Sequence, residues 1–188
     1  MIDRRWTGAV LAGGQSSRMG RDKALMEVEG MTLLDRAIEL LRPHCREVLV
    51  IGDPGKYTPA HATVIADGVP GLGPLGGLVT ALGRARYVRL LVLACDLPRV
   101  NDRLLVRLKN ELDLGHDAVV PRHAGWLEPL AGAYHRHALE AFEACLGQRR
   151  LRMSDALATV RTGHLDLVPG EAGWPADLFR NINTPSDL

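Results

Sequence analysis

A short apolar run followed at once by a glycine-rich, charged segment is the feature that most limits the fold of this chain. The run covers residues 8–11, and residues 11–23 read LAGGQSSRMGRDK. The run predicts a first β-strand, whereas the segment is too polar and flexible for a core. Glycines let backbone N–H groups approach an anion closely, and arginine and lysine bind phosphate oxygens. A strand leading into such a loop is typical of α/β proteins that hold a nucleoside triphosphate.

The spacing within this segment excludes two common nucleotide-binding loops. Lys23 lies three residues after Gly20, so the segment is not a Gly-x-x-x-x-Gly-Lys-Ser/Thr P-loop. Gly13 and Gly14 are adjacent, so the Gly-x-Gly-x-x-Gly dinucleotide fingerprint is absent too. A different phosphate-binding loop or a glycine-rich turn with solvated charges remains, and the directed chemistry of the side chains favours the first.

Length and charge indicate one domain that binds small anions locally. The 188 residues are enough for one substantial domain, predicted over 1–188, and short for two. With 23 basic and 22 acidic residues, the net charge of +1 favours neither nucleic acid nor an anionic membrane. No apolar run has the length of a membrane span, and the N-terminus lacks a signal-peptide core. We therefore expect a cytoplasmic protein with no nucleic-acid or membrane partner.

The cysteines agree with that compartment. Cys45, Cys95 and Cys145 are odd in number, widely spaced and without a Cys-x-x-Cys pair. This pattern favours reduced structural thiols over a disulfide framework or a zinc site.

Apolar runs alternate with helical stripes along most of the chain. Thr32 and Asp35 predict a helix start, and Pro74 predicts the first turn of a later helix. The alternation predicts an α/β fold: a single-domain, doubly wound, mainly parallel sheet with helices on both faces and a mixed or antiparallel portion in the second half. The predicted strands cover residues 8–11, 47–52, 62–66, 90–94, 118–120, 129–134, 165–168 and 178–182.

Two aspartates follow predicted strands and are candidates for the site. Because ligands collect at the carboxyl ends of parallel strands, Asp67 and Asp96 should lie on the same edge as the glycine-rich segment. Pro98 stops regular continuation after Asp96 and leaves this carboxylate at the strand end, where it can hold Mg²⁺. Each aspartate has an alternative role as a cap of a backbone turn.

Two further segments carry weaker signals. The glycines of residues 68–77 allow either close backbone approach to an anion at a helix start or tight packing of that helix on the sheet. Asn181 and Asn183 alternate on the last predicted strand, so they would face the same way and contact substrate or metal. Asn183 has an alternative role as a helix-end cap.

The motifs together resemble one family. The segment 11–23 matches the nucleotidyltransferase signature Leu-Ala-Gly-Gly-x-Ser-x-Arg-Met-Gly-x-Asp-Lys, and GPLGGL at 73–78, CDLP at 95–98, PL at 129–130 and NINTPSDL at 181–188 continue the match. The chain is similar over its whole length to the molybdenum cofactor guanylyltransferases (molybdopterin-guanine dinucleotide biosynthesis protein A). This resemblance implies a Rossmann-like nucleotidyltransferase fold.

The resemblance also implies a reaction and a set of residues. GMP would be transferred from GTP to the terminal phosphate of molybdopterin with release of pyrophosphate and Mg²⁺ as the metal, and cofactor-assembly proteins and acceptor molybdoenzymes would be partners. Arg18, Lys23 and Asp96 would be catalytic, and Asp96 would bind the metal. Asn181 and Asn183 would bind molybdopterin. The implied nucleotide-binding residues are Leu11, Ala12, Gly13, Gly14, Lys23, Asp67 and Asp96.

Some departures leave alternatives open. The guanylyl branch often has Arg-Met-Gly-Gly-x-Asp-Lys, and this chain is one residue shorter between Met19 and Asp22. The adjacent Gly13 and Gly14 resemble the GTP branch rather than the CTP branch, which typically has Leu-Ala-Ala-Gly. The alternatives are a CTP-dependent or sugar-phosphate nucleotidyltransferase of the same fold, or a nonenzymatic nucleotide-binding assembly factor.

Overall fold

A computed structural model describes residues 5–12 and 22–182 of the chain. None of the helices in these two ranges is both long and apolar enough to span a bilayer. The β-strands are β1 (Thr7–Leu11), β2 (Glu27–Val28), β3 (Met31–Thr32), β4 (Glu47–Ile51), β5 (Thr63–Ile65), β6 (Arg89–Ala94), β7 (Ala118–His123), β8 (Trp126–Leu127), β9 (Ala131–His135) and β10 (Thr162–Leu167). The α-helices are α1 (Leu33–Leu41), α2 (Gly73–Arg84), α3 (Asp102–Leu112), α4 (Leu139–Gly147) and α5 (Met153–Leu157).

The main sheet has the strand order β10-β7-β9-β6-β1-β4-β5, with β8 paired to β7. Strand β1 is central and pairs in parallel with both β4 and β6, and β5 continues the parallel arrangement on β4. Strand β9 is antiparallel to β6 and to β7, so β7 and β10 regain the direction of β6. The predicted mainly parallel sheet and the antiparallel portion in the second half are therefore confirmed.

Helices cover both faces of the sheet. Buried residues of α1 and α3 share one core with one face of β1 and β6, whereas buried residues of α2, α4 and α5 share the other core. The Thr32 hydroxyl caps α1 by accepting from the Asp35 N–H at 3.0 Å, and the Asn101 side chain caps α3 by accepting from the Leu104 N–H at 3.1 Å. Because an unpartnered N–H at a helix start is costly, these caps fix where both helices begin.

The predicted last strand over 178–182 is wrong. This stretch forms turns, in which the Leu178 N–H donates to the Pro175 carbonyl and the Arg180 N–H donates to the Asp177 carbonyl. Leu178 and Phe179 are adjacent and both buried. Their burial therefore comes from these local turns and not from pairing with a neighbouring strand.

Candidate functional site

The carboxyl ends of β1, β4, β5, β6 and β7 lie along one edge of the sheet, because these strands run in the same direction. The chain leaves β1 at Ala12, whose N–H donates to the Ile51 carbonyl at 3.0 Å. It leaves β6 at Cys95 and Asp96 and β5 just before Asp67. Ala12, Asp67 and Asp96 are therefore brought to one edge, where open α/β sheets bind ligands.

Tyr57 holds the two described ends of the glycine-rich segment together. Its hydroxyl donates to both Asp22 Oδ2, at 2.7 Å, and the Ala12 carbonyl oxygen, at 3.1 Å. The tyrosine is 4% exposed, and burial together with the Asp22 carboxylate raises its pKa well above the usual range. The phenol therefore stays protonated and bridges residues on either side of 13–21.

Asp22 also determines where the turn that carries Lys23 begins. Its Oδ1 accepts from the Ala24 N–H at 3.1 Å, which caps a single turn of 3₁₀-helix over Lys23–Leu25. One carboxylate oxygen thus caps the turn that carries Lys23 while the other is held by Tyr57. Lys23 is positioned by a fixed turn immediately after the glycine-rich segment.

Asp96 and Lys23 lie within electrostatic range of each other. Burial raises the pKa of the Asp96 carboxyl, and the Lys23 ammonium opposes that shift by stabilising the charged form. Asp96 is half-buried, and its carbonyl oxygen accepts from the Ile182 N–H at 3.0 Å. The lysine turn and this carboxylate therefore lie close enough at the sheet edge for their charges to interact.

A second carboxylate, Glu128, lies near Asp96. It follows β8 and is half-buried, and burial and the Asp96 charge both raise its pKa. Two partly desolvated carboxylates close together favour a bound cation or a shared proton. No local spacing in the chain points to Glu128, because its approach to Asp96 depends on the pairing of β9 with β6.

Asp67 makes the contacts of a turn aspartate. Its Oδ1 accepts from the Val69 N–H and from the Thr80 hydroxyl, each at 3.1 Å. The Thr80 hydroxyl oxygen in turn accepts from the Gly68 N–H at 3.1 Å. Asp67 therefore ties the loop after β5 to helix α2 at the same edge, which agrees with its alternative role as a turn cap.

The glycines at the start of α2 lie against the sheet. A Cβ on Gly76 would come within 3.0 Å of the Val69 carbonyl oxygen, and one on Gly77 within 3.4 Å of the Leu11 side chain. These two glycines thus allow α2 to pack closely on the loop after β5 and on β1. Their packing role accounts for them without a ligand.

Comparison with known proteins defines the family. The model of the MobA-like NTP transferase domain matches residues 8–162. The chain belongs to the MobA-like NTP transferase family. A protein from Pelotomaculum thermopropionicum, named probable molybdenum cofactor guanylyltransferase, is 35% identical over 184 residues, covering 97% of this chain and 89% of its own. A protein of the same name from Chloroflexus aggregans is 35% identical over 196 residues, covering 97% and 91%.

A solved structure shares the architecture of this MobA-like chain. The crystal structure of molybdopterin-guanine dinucleotide biosynthesis protein A from Archaeoglobus fulgidus superposes with a TM-score of 0.75 at 25% identity, covering 96% of this chain and 94% of that one. The nucleotidyltransferase fold expected from the sequence is confirmed. The family is one of nucleotidyltransferases, so the chain is an enzyme of that class.

The site residues expected in this MobA-like chain fall into three groups. Leu11, Ala12, Lys23, Asp67 and Asp96 lie at the same sheet edge. Asn181 is exposed just beyond that edge, and its expected orientation on a strand is wrong because residues 178–182 form no strand. The remaining residues, Gly13, Gly14, Arg18 and Asn183, lie outside the described ranges.

Sequence reasoning missed Tyr57 and Glu128. Tyr57 lies in the loop after β4, and its contact with Asp22 joins residues far apart in the chain. Neither residue belongs to a local motif. For Tyr57, its place in a loop that follows a parallel strand is the signal that would have made it a candidate, whereas Glu128 follows the antiparallel β8 and carries no such signal.

Proposed function

We propose that this chain transfers GMP from GTP to the terminal phosphate of molybdopterin, which yields the guanine dinucleotide of the cofactor and pyrophosphate. The observation that carries the proposal is that the residues after β1 and β6 lie at one edge of the sheet, where the Lys23 charge acts on the Asp96 carboxyl. Relatives named molybdenum cofactor guanylyltransferase, at 35% identity over nearly the whole chain, supply the choice of substrates.

The proposed reaction needs no dedicated general base from the protein. A phosphate monoester has its second pKa near 6, so the acceptor phosphate is largely ionised at neutral pH and needs no dedicated base. The site must hold two anions in line and neutralise the charge that develops on the α-phosphate and on the leaving pyrophosphate. A fixed cation beside a carboxylate that can bind a metal meets both requirements.

Each residue at the edge has a role in this proposal. Lys23, held by the turn that Asp22 caps, binds phosphate oxygens of the nucleotide. Asp96 offers a hard oxygen donor at the end of β6, which is the type of ligand that Mg²⁺ prefers. Bound there, Mg²⁺ supplies positive charge to the oxygens of the reacting phosphates. We further propose that Leu11 and Ala12 border the nucleotide and that Asp67 supports the nucleotide site through the start of α2.

Residues outside the described ranges, together with the exposed Asn181, complete the proposal. Gly13 and Gly14 would offer backbone N–H groups to the triphosphate, and Arg18 would bind its phosphates. Asn181 and Asn183 would contact molybdopterin, and the N–H of Ile182 between them is hydrogen-bonded to the Asp96 carbonyl. We place the reaction in the cytoplasm, with cofactor-assembly proteins and acceptor molybdoenzymes as further partners.

Pyrophosphate release tests the proposal. We expect release with molybdopterin, Mg²⁺ and GTP, and little with CTP, ATP or UTP. Lys23→Ala and Asp96→Ala should each lower the rate on the order of 10²–10³-fold, because each removes a preorganised charge. Asp113→Ala is the matched control, since Asp113 pairs with Arg89 at the opposite end of β6.

Three results would contradict the proposal. Release with CTP alone would make the chain a cytidylyltransferase, and release with a sugar phosphate in place of molybdopterin would change the acceptor. Tight GTP binding without release, with authentic acceptor and Mg²⁺ present, would indicate a nonenzymatic assembly factor.

A further inference from the structure

The backbone of Glu128 is fixed beside the end of β6. Its N–H donates to the Pro121 carbonyl at 2.9 Å, and its carbonyl accepts from the Ala131 N–H at 3.1 Å. Two residues later, the Leu130 carbonyl accepts from the Ala94 N–H at 2.7 Å. The segment that carries Glu128 is therefore held against the residue from which the chain turns toward Asp96.

The Glu128 side chain has no structural partner in the part of the chain that the structure describes. Its carboxylate is half-buried and forms no hydrogen bond or ion pair with residues 5–12 or 22–182. By contrast, Asp22 and Asp67 each accept two hydrogen bonds. A partly buried, unpaired charge is unfavourable, and a second negative charge on Asp96 adds to that cost.

The substrates make a cation the ligand that fits this pair. The triphosphate and the acceptor phosphate are both anionic, so a bare carboxylate beside their meeting point would repel them. Protein sites for Mg²⁺ use one or two carboxylates together with substrate phosphates and waters.

We propose that Glu128 is a second ligand of the divalent cation, binding it together with Asp96 and the nucleotide phosphates. The proposal rests on the proposed function for the presence of nucleotide and metal at this edge. It assigns to the loop between β8 and β9 a direct part in metal binding.

Mn²⁺ binding measured by electron paramagnetic resonance tests this without turnover. The protein is titrated with Mn²⁺ in the presence of a GTP analogue that has a methylene group between the α- and β-phosphates. We expect Glu128→Gln to weaken Mn²⁺ binding to the complex by about tenfold or more, as loss of a metal-site group does. Asp96→Asn should weaken it at least as much. Glu143→Gln is the control, because Glu143 is exposed on α4.

The outcomes separate this inference from the proposed function. Unchanged Mn²⁺ affinity in Glu128→Gln overturns it, and an accompanying rise in the KM for molybdopterin would assign Glu128 to the acceptor instead. If Glu128→Gln does not fold, Glu128→Asp is measured, and unchanged affinity there overturns the inference as well. The titration contains no molybdopterin, so it measures metal binding even if the parent protein releases no pyrophosphate. Absence of pyrophosphate release would contradict the proposed function and leave the metal-binding result valid.

Discussion

At the scale of single residues, the site depends on buried polar groups that hold one another in place. Tyr57 bridges Ala12 and Asp22, and Asp22 caps the turn that begins with Lys23. None of these contacts is a reaction step. They determine where the lysine stands relative to Asp96, and small displacements of a positioned group are costly in phosphoryl-group chemistry.

Tyr57→Phe tests this positioning. The substitution removes a buried hydrogen bond to a carboxylate, so we expect the free energy of unfolding to fall by about 1.5–3 kcal/mol. We also expect kcat/KM for GTP to fall, because the Lys23 turn loses its support. Urea unfolding and pyrophosphate release measure the two effects. Tyr87→Phe is the control, since the Tyr87 hydroxyl makes no hydrogen bond within the described ranges, and equal behaviour of the two variants would refute the role of Tyr57.

The charged Asp96 carboxylate should lower the free energy of unfolding of the metal-free protein at neutral pH. Burial raises its pKa in the folded state, so the unfolded state releases this proton at lower pH. This loss of stability is present at neutral pH and disappears as the pH falls below the ordinary carboxyl pKa of about 4. We expect Asp96→Asn to melt higher than the parent at pH 7, by about 2–4 °C for each kcal/mol relieved, with the difference shrinking toward pH 4. A variant that melts lower at pH 7 would contradict this.

At the scale of elements, helix α2 connects the loop after β5 to the sheet. Gly76 faces the Val69 carbonyl oxygen and Gly77 faces the Leu11 side chain, so two glycines permit a close approach that larger residues would prevent. The hydrogen bonds of Asp67 and Thr80 join the same loop to the middle of the helix. The position of the α2 start at the site edge follows from this packing.

Two alanine substitutions in α2 should have opposite effects. Gly76→Ala places a methyl group 3.0 Å from backbone, and Gly83→Ala meets nothing within 4 Å. We expect Gly83→Ala to raise the free energy of unfolding by about 0.5–1 kcal/mol through helix propensity. Gly76→Ala should leave the protein at least about 1 kcal/mol less stable than Gly83→Ala, because overpacking outweighs that gain. Denaturant unfolding measures the free energy of unfolding of both variants. Equal stabilisation by the two substitutions would mean that α2 is not tightly packed at Gly76.

The sequence predicted the elements with strong local patterns and missed contacts made at a distance. The alternation of apolar runs with helical stripes correctly predicted the central strands, and Thr32 with Asp35 and Pro74 correctly predicted the starts of α1 and α2. The stretch 178–182 was wrongly predicted as a strand, because its buried residues are held by turns against α3 and Asp96 instead of by sheet pairing. Glu128 and Tyr57 act through tertiary contacts that no local spacing encodes.

At the scale of the whole molecule, the topology gathers chemistry from separate parts of the chain. Parallel pairing of β1 with β6 places the residues after both strands at one edge, and antiparallel β9 brings the loop with Glu128 to the same place. The two cores lie on either side of this sheet and bury all three cysteines. The site thus lies at the ends of the central strands, and the loops that follow these strands supply its polar side chains.

The buried thiols provide a test of the fold as a whole. Burial, together with the charges of Asp96 and Asp22, raises the pKa of the Cys95 thiol to about 12, and Cys45 and Cys145 are also buried. Since the thiolate is the reactive form, we expect no rapid reaction with a disulfide reagent at pH 8 in the native protein. Three equivalents should react in guanidinium chloride. Fast native reaction of even one thiol would show that a core is open.

A crystal structure with Mn²⁺ and the methylene analogue of GTP would show whether Lys23 and Asp96 act on one bound nucleotide. We expect the anomalous signal of Mn²⁺ in contact with Asp96 and the Lys23 ammonium on a phosphate of the same nucleotide. A nucleotide bound at another surface, with either residue turned away from it, would contradict the account.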